Sequence, residues 1–251
     1  MAFSLEGHVA IITGNSSGLG KEIGLALGEA GASVPVNFAH NATRAEETLV
    51  EYQQAGIKTC LVQADATSAE EIDRLFCETE KQLGMPDILV PNATCDQPQL
   101  PIEQYDWEFY QQMIDFFIKS PFLMTQRGVA HMKAQKWGRI INIVSEVYHR
   151  SVSPFSAYVA AKGGQIGWTR SMASELASWG ITVNMVAPGW IPTERHENDP
   201  QQDKDAYLAL VPMGRWGVPR DIGDAVLYLA SDEASFVSGQ TLCVNGALTP
   251  W

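Results

Sequence analysis

Tyr158 and Lys162 stand four residues apart in Tyr158-Val159-Ala160-Ala161-Lys162, and Ser145 precedes the tyrosine by thirteen residues. Residues i and i+4 of a helix share one face. A lysine ammonium beside a phenol favours the tyrosinate, drawing the phenol below its free value of about 10. Such a phenol works as a general acid or base near neutral pH. A serine hydroxyl aimed at the same point would hold a carbonyl oxygen. These residue types describe proton transfer at a carbonyl or alcohol, and the rest of the chain must hold a hydride carrier. The bland alternative is a chance pair on a solvated helix face. Ser145 and a glycine-rich turn upstream weigh against it.

That turn is Thr13-Gly14-Asn15-Ser16-Ser17-Gly18-Leu19-Gly20. It follows His8-Val9-Ala10-Ile11-Ile12, an apolar run expected of a strand buried on both faces. After it, Leu19, Ile23, Ala26, Leu27 and Ala30 recur at helical spacing, and Gly31 is a plausible stop. Glycines between a strand end and a helix start let a pyrophosphate approach the backbone amides. The spacing is G-x-x-x-G-x-G rather than the more familiar G-x-G-x-x-G. Without the other motifs, the same residues could form a turn with no ligand.

Together, the glycine motif, Ser145, Tyr158 and Lys162 resemble the classical short-chain dehydrogenase/reductase family in order and spacing. Asn92-Ala93, Pro188-Gly189 and Val244-Asn245-Gly246 extend the resemblance over the whole chain. Sugar dehydrogenases of the glucose type and 3-oxoacyl-thioester reductases share this motif layout. The resemblance implies an NAD(P)-dependent enzyme interconverting a carbonyl and a secondary alcohol. Tyr158 would be the proton donor and acceptor, Lys162 would tune it and hold the nicotinamide ribose, and Ser145 would orient the substrate oxygen. Gly14, Ser16, Ser17, Gly18, Leu19 and Gly20 would cradle the pyrophosphate. Asp65 and Ala66 would lie at the adenine, although an aspartate at a strand end is most simply a turn residue. Asn92, Ala93, Pro188, Gly189, Ile191 and Thr193 would complete the dinucleotide site, or form ordinary loops. No acid follows the second strand in Asn37-Phe38-Ala39-His40, so nothing there repels a 2′-phosphate. Asn37 and Arg44 could accommodate it. NADP(H) is therefore favoured, although Ser17 stands where many NADP-using relatives are basic, and NAD(H) stays open.

The chain departs from the family at three places. Pro91-Asn92-Ala93-Thr94 stands for Asn-Asn-Ala-Gly, and Asn245-Gly246-Ala247 for Asp-Gly-Gly. Phe117 takes the place of an asparagine that, in relatives, helps to hold a relay water. A different group, such as Asp115 or a backbone carbonyl, would have to serve, or turnover is slow. A nucleotide-binding protein with little catalysis, a sensor or partner subunit, is the alternative reading. Trp190, Tyr148, Phe155 and Phe117 are candidate cavity walls, or equally core packing.

The chain has 251 residues, enough for one large α/β domain. Strand-like and helix-like runs alternate without a linker or repeat, predicting a single doubly wound, Rossmann-like domain over 1–251. About seven parallel strands would be covered by helices on both faces. Strands are expected near residues 34–38, 59–63, 87–90, 139–144, 181–186 and 240–244. Pro35 places the second near the sheet margin or makes it irregular. A long helical region is predicted over 103–135 and a polar loop or lid over 189–212. Net charge is −12, which argues against a nucleic-acid partner. No apolar run approaches the ~20 residues needed to span a bilayer. No charged leader with an apolar stretch opens the chain, and Cys60, Cys77, Cys95 and Cys243 lack metal-ligand spacing. A cytoplasmic enzyme with reduced thiols, no metal and a small carbonyl or alcohol substrate is expected. Small residues along the helix after Tyr158 (Ala160, Ala161, Gly163, Gly164, Gly167) would admit a close helix neighbour, and relatives are commonly homotetramers.

Overall fold

Short apolar runs alternate with amphipathic helices, so each strand returns parallel to the last through a helical crossover. The structure, a computed structural model, describes residues 3–250. The strands are β1 Ala10–Ile12, β2 Val36–Phe38, β3 Leu61–Gln63, β4 Ile88–Val90, β5 Gly138–Ile143, β6 Ile181–Pro188 and β7 Thr241–Val244. The helices are α1 Gly18–Glu29, α2 Ala42–Gln54, α3 Ala69–Gln82, α4 Trp107–Ile114, α5 Ser120–Gln135, α6 Val147–Arg150, α7 Ser156–Leu176, α8 Gln201–Leu210 and α9 Pro219–Ala230.

Five strands pair in the order β1-β4-β5-β6-β7, and β2 pairs with β3, all in parallel. Two hydrogen bonds join the sets: Ser33 N–H to His8 O and Ala10 N–H to Ser33 O, both 2.9 Å. The order is then β3-β2-β1-β4-β5-β6-β7, and β2 lies one strand in from the edge, near the margin as expected. Pro35 interrupts the ladder because it has no N–H to give. The Asn15 side chain spans the gap: its Nδ2 donates to Pro35 O at 2.9 Å and its Oδ1 accepts from Asn37 N–H at 2.6 Å. The predicted irregularity is thus a seam closed by one side chain.

Strand residues alternate between two apolar layers. Ala10, Ile12, Ile88, Val90, Ile141 and Ile143 pack with Ile23 and Leu27 of α1 and Ile222 and Val226 of α9. Ile11, Leu89, Ile140 and Val183 pack with α3, α5 and α7 through Phe76, Met124, Met132 and Leu176. The chain leaves β1 toward β2 on one side, and β4 lies on the other. A crevice therefore opens at their carboxyl ends, where such folds hold ligands.

The predicted helical region 103–135 is a short turn at Ile102–Gln104, then α4, a π-helical turn at Asp115–Lys119 and α5. Pro121, at the start of α5, cannot donate to the preceding turn, and the Ser120 N–H reaches back to Asp115 O. The widened turn delivers Phe117 to the interior, where it is 2% exposed. The predicted lid is also partly helical: Glu194–His196 forms one short turn and α8 another segment, started by Pro200.

Candidate active site

Two amide side chains and one hydroxyl hold the glycine turn. Asn37 Oδ1 accepts from Gly14 N–H at 2.9 Å, while its Nδ2 donates to Ala64 O at 3.0 Å. Asn92 Nδ2 donates to Thr13 O at 2.9 Å, and Thr13 Oγ1 accepts the amides of Asn92 and Ala93, both at 3.0 Å. Gly14 and Gly18 have φ of +66° and +54°. A Cβ on Gly20 would lie 2.6 Å from both Asn92 Nδ2 and Gly14 O. The N-caps of α2, α3 and α4 (Asn41, Ser68 and Asp106) each accept a first-turn amide through their side chains. Ser17, the N-cap of α1, accepts none. An uncapped, glycine-built helix start is suited to an anion such as a pyrophosphate.

The opposite wall comes from β5 and α7. Ser145 follows β5, and its Oγ accepts from Val147 N–H at 3.3 Å and lies near enough to the Tyr158 phenol to favour its ionised form. Phe155 and Phe117 flank the phenol ring, with centroids at 4.9 and 5.3 Å. Lys162 lies on the same helix face, its Nζ 5.5 Å from the centre of the Tyr158 ring. Nζ donates to Ile143 O at 2.7 Å and Gln165 Oε1 at 3.1 Å, and sits 3.7 Å from the Phe117 ring centre.

Burial pushes the Tyr158 phenol up to about 12, against smaller lowering effects from the Ser145 hydroxyl and the Arg195 charge. This corrects the expectation that Lys162 draws the phenol below its free value. The ammonium is engaged by Ile143, Gln165 and Phe117, and burial depresses its own proton affinity.

The lid closes the third side. Tyr207 of α8 donates from its hydroxyl to Glu146 Oε1 at 2.8 Å and accepts from Trp190 N–H at 2.7 Å. Its ring stacks on Trp216 at 5.6 Å, and Trp190 meets both rings edge-on. Glu146 is 2% exposed and also pairs with Arg150 at 3.0 Å. Thr193, at the root of the lid, lies 3.6 Å from where a Gly18 Cβ would be. The lid therefore touches both the glycine turn and the strand end that carries Ser145. A cavity of about 270 Å³ lies behind it, lined by Trp190, Tyr207, Met213, Trp216 and Asn245.

The chain matches the family model described as Enoyl-(Acyl carrier protein) reductase over residues 13–249. It is 37% identical to the 3-oxoacyl-[acyl-carrier-protein] reductase of Staphylococcus aureus over 241 residues, covering 95% of this chain and 97% of that one. Identity to the Synechocystis sp. protein of the same name is 38% over 248 residues, covering 98% of each. The chain belongs to the short-chain dehydrogenase/reductase family. A gluconate 5-dehydrogenase from Burkholderia cenocepacia, solved with NADP and tartrate, is similar in structure. The TM-score is 0.91 at 31% identity, covering 98% of this chain and 97% of that one. This family member is accordingly an NAD(P)-dependent oxidoreductase that interconverts a carbonyl and an alcohol.

Within this dehydrogenase/reductase, the sequence-derived residues divide. Gly14, Ser16, Ser17, Gly18, Leu19, Gly20, Asn92 and Ala93 gather at the turn. Ser145, Tyr158 and Lys162 gather on the facing wall, and Pro188, Gly189, Ile191 and Thr193 form the lid root. Ile191 is buried, and Thr193 takes a hydrogen bond pair with His196. Asn37 is a correction: it is 1% exposed, and both ends of its amide serve the turn and β3, so it offers the crevice nothing. Asp65 makes the turn expected of it, its Oδ1 accepting from Thr67 N–H and Oγ1 at 2.8 Å each, with Ala66 buried beside it. Thr94 is exposed and hydrogen-bonds Gln97, and its backbone is not left-handed. Of the aromatic candidates, Phe117 and Phe155 line the phenol, Trp190 belongs to the lid, and Tyr148 is 41% exposed. Sequence reasoning did not find Asn15, Glu146, Gln165, Arg195 or Tyr207.

Proposed function

We propose that Ser145, Tyr158 and Lys162 carry the proton transfer of an NADP(H)-dependent oxidoreduction of a small hydroxy or oxo acid. The observation that carries this reading is the Tyr158 phenol beside Ser145 and on the lysine's helix face, in a fold whose glycine turn opens an uncapped helix. A bound nicotinamide dinucleotide supplies or takes up the hydride. In reduction, Tyr158 Oη gives its proton to the carbonyl oxygen, and Ser145 Oγ hydrogen-bonds the same oxygen to fix its position. In oxidation the phenolate takes the alcohol's proton. Lys162, when charged, favours that phenolate. The amides of the turn from Gly14 to Gly20 hold the pyrophosphate, with Asp65 and Ala66 toward the adenine. Asn92, Ala93, Pro188, Gly189, Ile191 and Thr193 border the nicotinamide half.

NADP(H) is the preferred cofactor. No acid follows β2, and Arg44, exposed in the first turn of α2, is the cation available to a 2′-phosphate. The gluconate 5-dehydrogenase relative was solved with NADP. The acid substrate rests on Arg195. Its Nη2 donates to Cys95 O at 3.3 Å, spanning from the lid to the loop after β4. Its charge reaches the Tyr158 phenol. Among the described residues, no carboxylate ion-pairs with it. A chain of net charge −12 needs such a local cation to receive an anion. The relative's tartrate and gluconate are both hydroxy acids.

Assays with gluconate and NADP+, and with a 3-oxoacyl thioester and NADPH, separate the two substrate classes. Arg195→Ala is expected to raise KM for the hydroxy acid about tenfold, the loss of one charge-assisted contact. An unchanged KM would remove Arg195 from substrate recognition. A homotetramer in the cytoplasm completes the reading. Ala160, Gly164 and Gly167 are exposed on α7, and no atom lies within 4 Å of a Cβ built at Gly167. No helix among the described residues is long and apolar enough to cross a membrane. Light scattering that gave the mass of one chain would overturn the assembly.

A further inference from the structure

The inward face of α7 carries four polar residues at helical spacing: Tyr158, Lys162, Gln165 and Thr169. Gln165 is 1% exposed, Thr169 0% and Lys162 3%, and they lie against β5. A glutamine in a dry helix–sheet interface is costly unless its amide is used. Here it is used: Oε1 accepts from Lys162 Nζ at 3.1 Å. Ile143 O supplies the second acceptor at 2.7 Å. On the remaining side, the ammonium meets the Phe117 ring, which offers only a π face.

We infer that Gln165 is a positioning residue for this reaction, holding the buried Lys162 ammonium charged and in place where Phe117 provides no acceptor. The inference rests on the assignment of Lys162 as the cation that tunes Tyr158. An apolar side chain of similar length would fill the same volume, so packing alone does not call for an amide. Thr169 Oγ1 donates to Gln165 O at 2.7 Å and accepts from Asn142 Nδ2 at 2.9 Å, which fixes this helical turn against β5. The titratable groups facing Lys162 are Tyr158 on its own helix and Cys95 from the loop after β4, with Arg195 of the lid facing those two. β5 contributes the Ile143 carbonyl, and the π-helical turn contributes the Phe117 ring. Burial lowers the lysine's proton affinity. An acceptor at Gln165 opposes that by stabilising the protonated form.

The test follows the lysine itself and needs no substrate. In protein labelled with 13C at lysine Cε, the Lys162 signal is assigned by its loss in Lys162→Arg and titrated against pH. Gln165→Met, which keeps the volume and removes the acceptor, should lower the Lys162 midpoint by about one unit. Gln165→Glu, which keeps the acceptor and adds a charge, should raise it above the wild-type value. An unchanged midpoint in either variant overturns the inference, and Gln165→Glu stands as the test if Gln165→Met does not fold. Turnover of gluconate with NADP+ supplies the second readout: Gln165→Met should lose about tenfold in kcat with KM for NADP+ little changed, and Gln165→Glu should recover most of it. Failure of the parent reading looks different, because Tyr158→Phe would then stay active whatever Gln165 does.

Discussion

The glycine turn and the Tyr158 wall face each other across one crevice, yet they are held by different forces. The turn is stitched by directional bonds from Asn15, Asn37, Asn92 and Thr13 to backbone groups. The wall is set by burial: Phe117 and Phe155 clamp the phenol, and the lysine is shut in beneath them. A surface that receives a ligand through its backbone must fix backbone. A wall that moves a proton must instead fix dielectric and proton affinity. Damage to the turn should therefore read out as lost stability and cofactor affinity, and damage to the wall as lost turnover with the fold intact.

The largest effect expected from the wall is Tyr158→Phe. It should cut turnover by about a thousandfold, in the range of a general acid or base, with dinucleotide binding and melting temperature retained. Steady-state kinetics beside a fluorescence titration check this, and an active variant would break the contrast. On the turn, Asn15→Ala strands the buried Pro35 carbonyl and Asn37 amide and should cost about 3 kcal/mol in urea unfolding. Gly20→Ala forces a methyl to within 2.6 Å of Asn92 Nδ2 and Gly14 O; about 2 kcal/mol and a clear loss of NADP(H) affinity are expected.

A pH profile sharpens the same contrast. The phenol is held up to about 12 by burial, so it is protonated at neutral pH and ready for carbonyl reduction. Alcohol oxidation needs the phenolate, so its rate should climb with pH through the alkaline range while reduction stays level near neutrality. An oxidation rate that levels off by pH 8 would mean that the wall does not set the proton affinity. The smallest effect tests the lid. Tyr207→Phe removes the hydroxyl that joins Glu146 to Trp190 N–H, and KM for the acid should rise about fivefold with kcat nearly kept.

The wall was more legible in the sequence than the bonds that support the turn and lid. Tyr158 and Lys162 declare their shared face through a spacing of four, and Ser145 announces itself by ending an apolar strand. Asn15 reads as one more polar residue in a loop because its partner, Asn37, is 22 residues away and in another strand. The Glu146–Tyr207 bond spans 61 residues and joins a strand end to a helix that the sequence presents as a polar loop. Gln165 was hidden for another reason. It lies three residues beyond Lys162, where periodicity predicts a core position, and only the structure shows that the lysine ammonium is bent back onto it. The effect of the lysine on the phenol was misjudged because spacing gives proximity but not the competing acceptors. Pro35 was recognised as a disturbance, but that a side chain would mend it could not be read from local pattern.

The seam at Pro35 has a consequence for motion. Beyond Ser33, the β2–β3 pair is tied to the other five strands by the Asn15 carboxamide and the Asn37 Oδ1 bond to Gly14 N–H instead of a continuous run of main-chain bonds. That edge is therefore expected to open as a unit while the central strands stay zipped. Deuterium uptake should reveal the boundary, with the Asn37 amide exchanging well before those of Ile140 and Val183. The protein would then loosen its grip on a spent dinucleotide without disturbing the residues that move protons.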